Sequence, residues 1–334
     1  MVSNRLSILH VISNLNTGGA EKMVVTTANL FVNRGYDVGV VLIVGGGSLC
    51  NHLDSRVKLH VLNRRSRFDL RALRSFSDLA NSYQITHVHS KHNFRFVFVA
   101  NVVRNIKSPI VLHDHSAEVL TSGVQKTKLP FFIQFWLRGK FYIGVSESLV
   151  EWAIQNFKLN EERCFSLPNA IVCSQKTSEI EEYNPVDGII RLILVSNFRR
   201  IKNIEFGLKL VRELLNRGLV VNLDIYGHIL DKAYYSEIVD LARQLNLINN
   251  IKINTNETDI SVHLNKYDLA IHCSKAETGP LVLLEYLCAG LPFVSIDRGE
   301  VTSVVVKQFS EMVVRDYQLD QWCSAISQIG RAHV

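Results

Sequence analysis

The sequence lacks a run of 18 or more apolar residues, so no segment has the length and composition of a membrane-spanning helix. The first residues lead into a short alternating strand and not into the apolar core of a signal peptide. The six cysteines include no Cys-x-x-Cys pair, from which we expect reduced, mostly buried thiols and neither a disulfide framework nor a zinc site. These absences predict a folded protein that stays in the cytoplasm.

The chain is long and apolar enough for two folded domains. With 334 residues, it is about twice the size at which a single hydrophobic core stops being the default. Its 47% hydrophobic and 20% charged residues argue against disorder. The charged residues are distributed unevenly along the chain. Residues 1–173 contain 20 Lys and Arg and 11 Asp and Glu, whereas the rest of the chain contains 17 Lys and Arg and 20 Asp and Glu. The basic first half predicts either contact with an anionic surface, such as a membrane or phosphorylated lipid, or a solvated basic face.

Short apolar strands alternate with longer helical segments along both halves, which indicates an α/β protein with parallel sheets and helices on both faces. Residues 1–173 and 189–328 are predicted as two Rossmann-like domains facing each other across a cleft, joined by a polar linker at residues 174–188. Ligands in such sheets bind beyond the carboxyl ends of the strands. No Gly-x-Gly-x-x-Gly follows either opening strand, which counts against a dinucleotide oxidoreductase.

The closing residues 329–334 read Ile-Gly-Arg-Ala-His-Val and resemble the translation of an oligonucleotide adapter. We expect them to be a non-native tail, with the authentic C-terminal segment missing and the second domain truncated. They are therefore excluded from the prediction of the fold.

Two acids frame the most informative stretch of the chain, Glu277 on a loop and Glu285 eight residues later. Pro280 suits the first turn of a helix and Gly290 its C-terminal stop, so both carboxylates are predicted near one helix N-terminus. Glu285 is embedded in an all-round apolar helix of the kind that packs between layers, where an unpaired charge is costly. Ligand hydroxyls would satisfy it; an ion pair with a neighbouring Lys or a cluster of backbone amides is the alternative.

This Glu-x7-Glu element, followed by Ala-Gly-Leu-Pro, resembles the signature of the retaining glycosyltransferases of the large group 4 family, which have the GT-B fold. The resemblance implies that Glu285 binds the ribose hydroxyls of a nucleotide sugar and that Glu277 contacts the donor sugar. It also implies that the residues at the start of the helix belong to the donor-binding site. These are Gly279, Pro280 and Leu281.

The loop after the first strand of the second half carries cations that can neutralise a diphosphate. Lys202 supplies a point charge and Arg199 or Arg200 a bidentate fork, with Asn203 directly after them. The loop resembles the Gly-Arg-Leu-x-x-x-Lys-Asn element of the family, except that Asn197 takes the place of the usual arginine. A solvated basic loop is the alternative interpretation.

Other positions resemble cleft residues of the family. Gly18 and Gly19 lie in a Gly-Gly-Ala-Glu loop, where backbone amides and a helix N-terminus favour the donor phosphates or the acceptor. His115, with His113 as the alternative, follows a strand where a family histidine contacts the donor sugar, and it could share a proton with the acceptor hydroxyl. Gly227 matches the strand-end glycine over which the nucleotide base lies. An ordinary turn and a hydrogen-bonded histidine are the alternative interpretations.

Neither a metal nor another cofactor is predicted. His87, His89 and His92 form a cluster, but no carboxylate is spaced with them in a recognised ligand pattern, so we interpret them as loop residues rather than a metal site. No Asp-x-Asp occurs in the chain, and the family resemblance implies a fold that needs no catalytic metal.

A basic, aromatic stretch at residues 126–140 has two interpretations. Its rings could enter a membrane interface while its cations lie on anionic lipid. We favour the second interpretation, in which the rings are domain core. The rings at issue are Phe131, Phe132, Phe135 and Trp136.

The chain is therefore predicted to transfer a sugar from a UDP-, GDP- or ADP-sugar to a hydroxyl of a glycan or lipid-linked acceptor, with retention as the resemblance implies. Lys202 would stabilise the leaving diphosphate, Glu277 would hold the sugar and His115 would line the reaction centre. The expected setting is the cytoplasm, with peripheral contact to an anionic inner membrane face left open and no nucleic-acid partner. The alternatives are a sugar-nucleotide epimerase or hydrolase of the same fold, and a non-catalytic nucleotide-sugar-binding member, to which Asn197 points.

Overall fold

The computed structural model of the protein describes residues 5–115, 129–173, 188–257 and 259–332. The chain divides into two compact units, Met1–Ala170 and Ile171–Val334, so the second unit begins shortly before the predicted linker. Residues 174–187 of that linker lie outside the described residues. Within the described ranges, no helix is long and apolar enough to cross a membrane.

A parallel sheet forms the centre of the first unit. Its described strands lie in the order β3-β2-β1-β4-β5-β6-β7, so the chain starts inside the sheet, builds towards one edge and then returns to build the other. This order is typical of Rossmann-like folds. The strands are β1 (Ser7–Ile12), β2 (Asp37–Leu42), β3 (Lys58–Val61), β4 (Ile85–His89), β5 (Ile110–Asp114), β6 (Phe141–Gly144) and β7 (Cys164–Ser166).

Helices connect these strands and bury one face each against the sheet. They are α1 (Gly19–Asn33), α2 (Leu70–Asn81), α3 (Lys91–Val103), α4 (Phe131–Leu137) and α5 (Glu147–Phe157). Two of them start at side-chain caps: the amide of Ala72 donates to Asp69 before α2, and the amide of Leu149 donates to Ser146 before α5. Such caps satisfy backbone donors that a helix start leaves open.

The second unit repeats the plan with a parallel sheet in the order β10-β9-β8-β11-β12-β13. Its strands are β8 (Ile189–Val195), β9 (Val220–Tyr226), β10 (Ile251–Asn254), β11 (Leu269–His272), β12 (Phe293–Ile296) and β13 (Val313–Val314). Its helices are α6 (Ile204–Asn216), α7 (Lys232–Gln244), α8 (Leu281–Cys288), α9 (Glu300–Val305) and α10 (Leu319–Ala332). Helix α10 runs into the predicted non-native tail and buries Ile329 in the core of this unit.

Apolar side chains pack on both faces of the first sheet, because successive residues of a strand point to opposite faces. Leu9 and Val11 of β1 join one buried cluster together with Val88 of β4. Ile12 points to the other face and packs in a second cluster with Ala28 of α1. The position of a polar residue in a strand therefore determines on which face of the sheet its side chain lies.

The cysteine prediction needs correction. Cys173 and Cys288 form a disulfide, with their Cα atoms 5.8 Å apart. Sequence spacing could not reveal the pair because 115 residues separate the two positions. The free thiols of Cys273 and Cys323 are buried, as expected.

The aromatic stretch also differs from the favoured prediction. Phe131, Phe132 and Phe135 of α4 are 74%, 58% and 64% exposed and therefore do not form domain core. Trp136 alone of the four rings turns inward, 4.9 Å from Phe94 between ring centroids. The short helix presents three of its rings on one exposed side because Ile133 and Leu137 already fill its buried side.

A buried ion pair anchors α3 to β5. The ammonium of Lys91 lies 2.6 Å from the Asp114 carboxylate, and both side chains are almost fully buried. The hydroxyl of Tyr142 also donates to Asp114, and the ring of Trp152 lies 5.4 Å from the Lys91 nitrogen. Two charges are tolerated here because each remains paired and hydrogen-bonded.

We expect Lys91→Met to lower the free energy of unfolding by about 3–5 kcal/mol, because it leaves the Asp114 charge buried without its cation. The matched control is Arg104→Met, which breaks the exposed pair of Arg104 with Asp78 and should cost about 1 kcal/mol or less. Urea unfolding at neutral pH measures both. Equal losses in the two variants would contradict the assignment.

Candidate functional site

A cation and an acid meet at the carboxyl edge of the second sheet. Strands β8 and β11 are paired neighbours, so the loops that follow them leave the sheet side by side. The first loop carries Lys202 and the second carries Glu277. The Lys202 ammonium lies 2.5 Å from one Glu277 carboxylate oxygen, and Nε2 of His272 lies 3.4 Å from the same oxygen. The structure thus brings together two of the three predicted catalytic residues.

The electrostatics of this pair keep Glu277 ionised. Burial by itself would raise the pKa of its carboxyl, but the charge of Lys202 and the nearby His272 outweigh burial and lower that pKa to about 2. The Glu277 side chain is 10% exposed and that of Lys202 is 25% exposed, so both remain reachable from solvent. A partly open, strongly polarised pair suits a ligand that offers hydroxyls and phosphates.

His272 is a site residue that the sequence reasoning missed. It ends β11, a strand that is otherwise apolar and fully buried. Its Nε2 is buried and faces the Glu277 carboxylate at 3.4 Å. A histidine at the carboxyl end of an apolar strand was the available signal, because such ends line the ligand crevice of parallel sheets.

The two arginines of the basic loop have different surroundings. Both guanidinium nitrogens of Arg200 bind Glu237 of α7, at 2.7 and 2.5 Å, and its guanidinium also lies over the ring of Tyr234. Arg200 is therefore held against α7, and both arginines are exposed. Asn203 is buried and adopts a left-handed conformation with φ of 55°, which turns the chain from the loop into α6.

The Asn197 position has a structural role. Its side-chain oxygen accepts a hydrogen bond of 2.9 Å from the backbone amide of His228, which ties the loop after β8 to the loop after β9. Gly227 lies between them, and a Cβ there would overlap the carbonyl of Ser196. Glycine therefore permits the close approach of two backbones at this edge.

Helix α8 begins directly after the predicted Gly279–Pro280 pair, and Pro280 is its N-cap rather than part of its first turn. The backbone amide of Val195, at the end of β8, donates to the hydroxyl of Tyr286. That bond anchors the helix of Glu285 beside the strand that leads to Lys202. The prediction of an all-round buried helix is wrong, because Leu287 is 41% exposed and Glu285 is only partly buried.

The predicted glycine loop of the first unit starts α1 as expected. Gly18 is the N-cap and Gly19 the first residue of the helix. A Cβ at Gly18 would overlap the carboxylate of Glu21, which folds back over this helix start. Burial raises the pKa of Glu21, although a backbone hydrogen bond opposes the rise.

The prediction that His87, His89 and His92 are loop residues is wrong. His87 and His89 belong to β4 and are buried, while His92 lies in the first turn of α3 and is exposed. The ring of His87 stacks on His113, and the ring of His89 stacks on the partly buried His115. Burial lowers the pKa of His115 to about 4, so the expected proton sharing in the neutral range is wrong.

Comparisons with known proteins agree with this arrangement. The family model "Glycosyltransferase Family 4" matches residues 17–175, and "Glycosyl transferases group 1" matches residues 175–330. EpsF of Bacillus subtilis, which is named as a glycosyltransferase, is 26% identical over 317 residues, covering 89% of this chain and 80% of EpsF.

Solved structures share the fold. HepE of Anabaena in complex with UDP-glucose aligns with a TM-score of 0.77 at 17% identity, over 97% of this chain and 89% of HepE. TarM aligns with a TM-score of 0.78 at 11% identity, over 99% of this chain and 93% of TarM.

Two Rossmann-like units, with a cation–acid site at the strand ends of the second, define an α/β transferase of the GT-B fold. The fold class predicted from the sequence is thereby confirmed. The chain belongs to the group 1 glycosyltransferases, with its first half in the related family 4 domain. Its enzyme class is that of a glycosyltransferase.

The lowered pKa of Glu277 predicts a specific loss of stability in acid. The unfolded carboxyl titrates near 4.5 and the folded one near 2, so protons bind the unfolded state first and stability falls as the pH drops between these values. The loss should reach about 3 kcal/mol below both values. Urea unfolding from pH 5 to pH 3 should show a shallower decline in Glu277→Gln than in the parent chain. The exposed Glu151 of α5 provides the control: Glu151→Gln should retain the parent's decline.

Proposed function

We propose that the protein moves a sugar from a nucleotide diphosphate sugar to an acceptor hydroxyl with retention of the anomeric configuration and without a metal cofactor. The observation that carries the proposal is the partly open contact of Lys202 with Glu277, beside the buried Nε2 of His272. A positive charge where a diphosphate leaves stabilises the negative charge that develops there, and such electrostatic stabilisation supplies much of the rate enhancement in many transfer reactions.

Each charged group at this edge has a chemical task in the proposal. Lys202 binds the leaving diphosphate, assisted by Arg199 or Arg200. Glu277 accepts hydrogen bonds from the sugar hydroxyls, since its carboxylate stays ionised beside Lys202. Glu285 accepts hydrogen bonds from the ribose hydroxyls.

The remaining roles rest on the family resemblance. Gly227 leaves room for the base, and Asn203, Gly279, Pro280 and Leu281 shape the donor site around the start of α8. Within the first unit, we assign sugar contact to His115 rather than His113, because His113 is 1% exposed and His115 is partly open. Gly18 and Gly19 would present backbone amides at the start of α1 to the donor phosphates or the acceptor.

The donor we propose is a UDP-sugar. Supporting it, HepE was solved with UDP-glucose and a TarM variant was solved with UDP, fondaparinux and α-GlcNAc-glycerol. A glycan or lipid-linked acceptor is supported by the same TarM complex and by a structural neighbour named as a lipopolysaccharide outer core galactosyltransferase.

Replacing Lys202 tests the site directly. We expect Lys202→Met to lower the turnover of UDP-sugar by about 100- to 1000-fold, because the leaving diphosphate loses its cation. The matched control is Lys209→Met, an exposed position on α6, which should keep parental turnover. UDP release measures both variants, after a thermal-shift series of UDP-, GDP- and ADP-sugars has identified the donor.

The same assay separates the competing functions. Release of UDP that depends on added glycan or lipid-linked acceptor supports transfer, whereas equal release without acceptor would indicate a hydrolase or epimerase. Donor binding without any turnover would indicate a non-catalytic member. Parental turnover in Lys202→Met would contradict the assigned role of the cation.

We also propose that α4 brings the first unit into peripheral contact with an anionic membrane on the cytoplasmic side. The guanidinium of Arg138 is 5.6 Å from the ring of the exposed Phe135, and the ammonium of Lys140 is 4.9 Å from the ring of Trp136 in the same helix. Aromatic rings at headgroup depth together with cations on anionic lipid suit such a surface. A lipid-linked acceptor would be met there.

The membrane proposal is tested by co-sedimentation with vesicles. We expect the parent chain to bind vesicles that contain phosphatidylglycerol more strongly than purely zwitterionic ones, and Phe131→Ser/Phe135→Ser to lose most of that binding. Phe309→Ser is the control, because Phe309 is an exposed ring of the second unit. Unchanged binding of the α4 variant would contradict the proposal.

A further inference from the structure

Five histidines lie together on one face of the first sheet. His10 of β1 is paired in register with His87 of β4, and His89 is paired with His113 of β5. His87 and His89 are two residues apart, as are His113 and His115, so their side chains point to the same side. We call this group the imidazole cluster.

Short nitrogen–nitrogen contacts connect the imidazole cluster. Nδ1 of His10 lies 3.0 Å from Nε2 of His89, and Nε2 of His87 lies 3.2 Å from Nδ1 of His113. A third contact of 3.2 Å joins Nδ1 of His89 to Nε2 of His115. Burial is the main cause that lowers the pKa of all five, with His10 at about 4. The three contacts are at hydrogen-bonding distances, so the tautomer of each ring decides which of its nitrogens keeps a lone pair.

The ring nitrogens of the imidazole cluster do not all find hydrogen-bond partners within it. A neutral imidazole has one N–H and one lone pair. If Nε2 of His89 donates to His10 and Nδ1 of His113 donates to His87, the lone pair of His89 Nδ1 faces Nε2 of His115 and that of His113 Nε2 remains unused. Nε2 of His113 is buried and has no hydrogen-bond partner among the described residues. A buried lone pair without a partner is costly.

We propose that His89, His113 and His115 bind a divalent transition-metal ion, with Zn²⁺ as the best match, and that His10 and His87 hold two of the ligands in orientation. One ligand nitrogen from each of the three histidines lies within 4.8 Å of the others. In a tetrahedral zinc site, nitrogens at the usual bond length are about 3.4 Å apart. The 3.2 Å contact of His89 with His115 is close to that separation.

The surroundings favour this triplet over the deeper one of His10, His87 and His89, whose nitrogens also lie within 4.8 Å of one another. The deeper three are buried, and the ring of Phe31 packs 5.8 Å from His10. His115 is partly open, which gives the ion access from solvent and leaves a fourth position for water or an anion. His10 and His87 would then be outer hydrogen-bond acceptors, a usual support for zinc-bound histidine.

The proposal concerns metal binding alone and goes beyond sugar transfer. It shares His115 with the proposed sugar contact, whereas Lys202, Glu277 and Glu285 belong to the second unit. Its test therefore uses binding and spectroscopy as readouts and needs no substrate.

The experiment titrates untagged, chelator-treated protein with Zn²⁺ in a calorimeter and with Co²⁺ in a visible spectrometer. We expect one ion per chain and intense Co²⁺ bands of a tetrahedral site without sulfur charge-transfer bands. His115→Ala should abolish saturable binding, and His10→Asn or His87→Asn should weaken it by about 10- to 100-fold. His92→Asn is the control, because His92 is exposed and outside the cluster, and it should bind as the parent does.

Several results would overturn the proposal. These are no saturable binding by the parent chain, equal affinity in His115→Ala and His92→Asn, and sulfur charge-transfer bands that indicate cysteine ligands. If His10→Asn lost Zn²⁺ binding while His115→Ala retained it, the ion would bind at the deeper triplet. The proposed ligand set would then be refuted. Because His115 is only partly buried, its alanine variant should stay folded, and a thermal melt without metal verifies this.

Discussion

The parallel pairing of β8 with β11 is the constraint on which the donor site depends. Neighbouring parallel strands end at the same edge of a sheet, so the loops that follow them meet even though long stretches of chain separate them. Lys202 and Glu277 are 75 residues apart in sequence and come within hydrogen-bonding distance only for this reason. The bond from the Val195 amide to Tyr286 then fixes α8 beside the same edge.

Polar side chains inside this protein avoid an unpaired charge in three different ways. Lys91 and Asp114 are buried as an ion pair with an added hydrogen bond from Tyr142, which serves stability. Lys202 and Glu277 are paired but remain partly open, so a ligand can reach them. The imidazole cluster avoids charge instead, because burial holds its rings in the neutral form. The degree of exposure separates the structural pair from the pair that we propose to be functional.

Much of the architecture could be predicted from the sequence, because strand and helix periods are local properties of the chain. The alternation of apolar strands and helices predicted two Rossmann-like units, and the flanking residues of Glu277 and Glu285 placed a helix start between them. His272 was missed although its position at the end of an apolar strand was a signal, because only the fold brings its ring to Glu277. The His-x-His repeat of β4 and β5 was legible, yet its meaning depends on which strands are neighbours.

The sequence by itself determined the elements, the fold class and the family, since these follow from local patterning and from motifs that occur in order. Only the tertiary structure decided that Arg200 is held by Glu237, that three phenylalanines of α4 are exposed, that Cys173 pairs with Cys288 and that five imidazoles meet. The physical reason is the same in each case. Whether a side chain is paired, buried or open depends on residues that are distant in the chain, and strand order and helix packing bring those residues together.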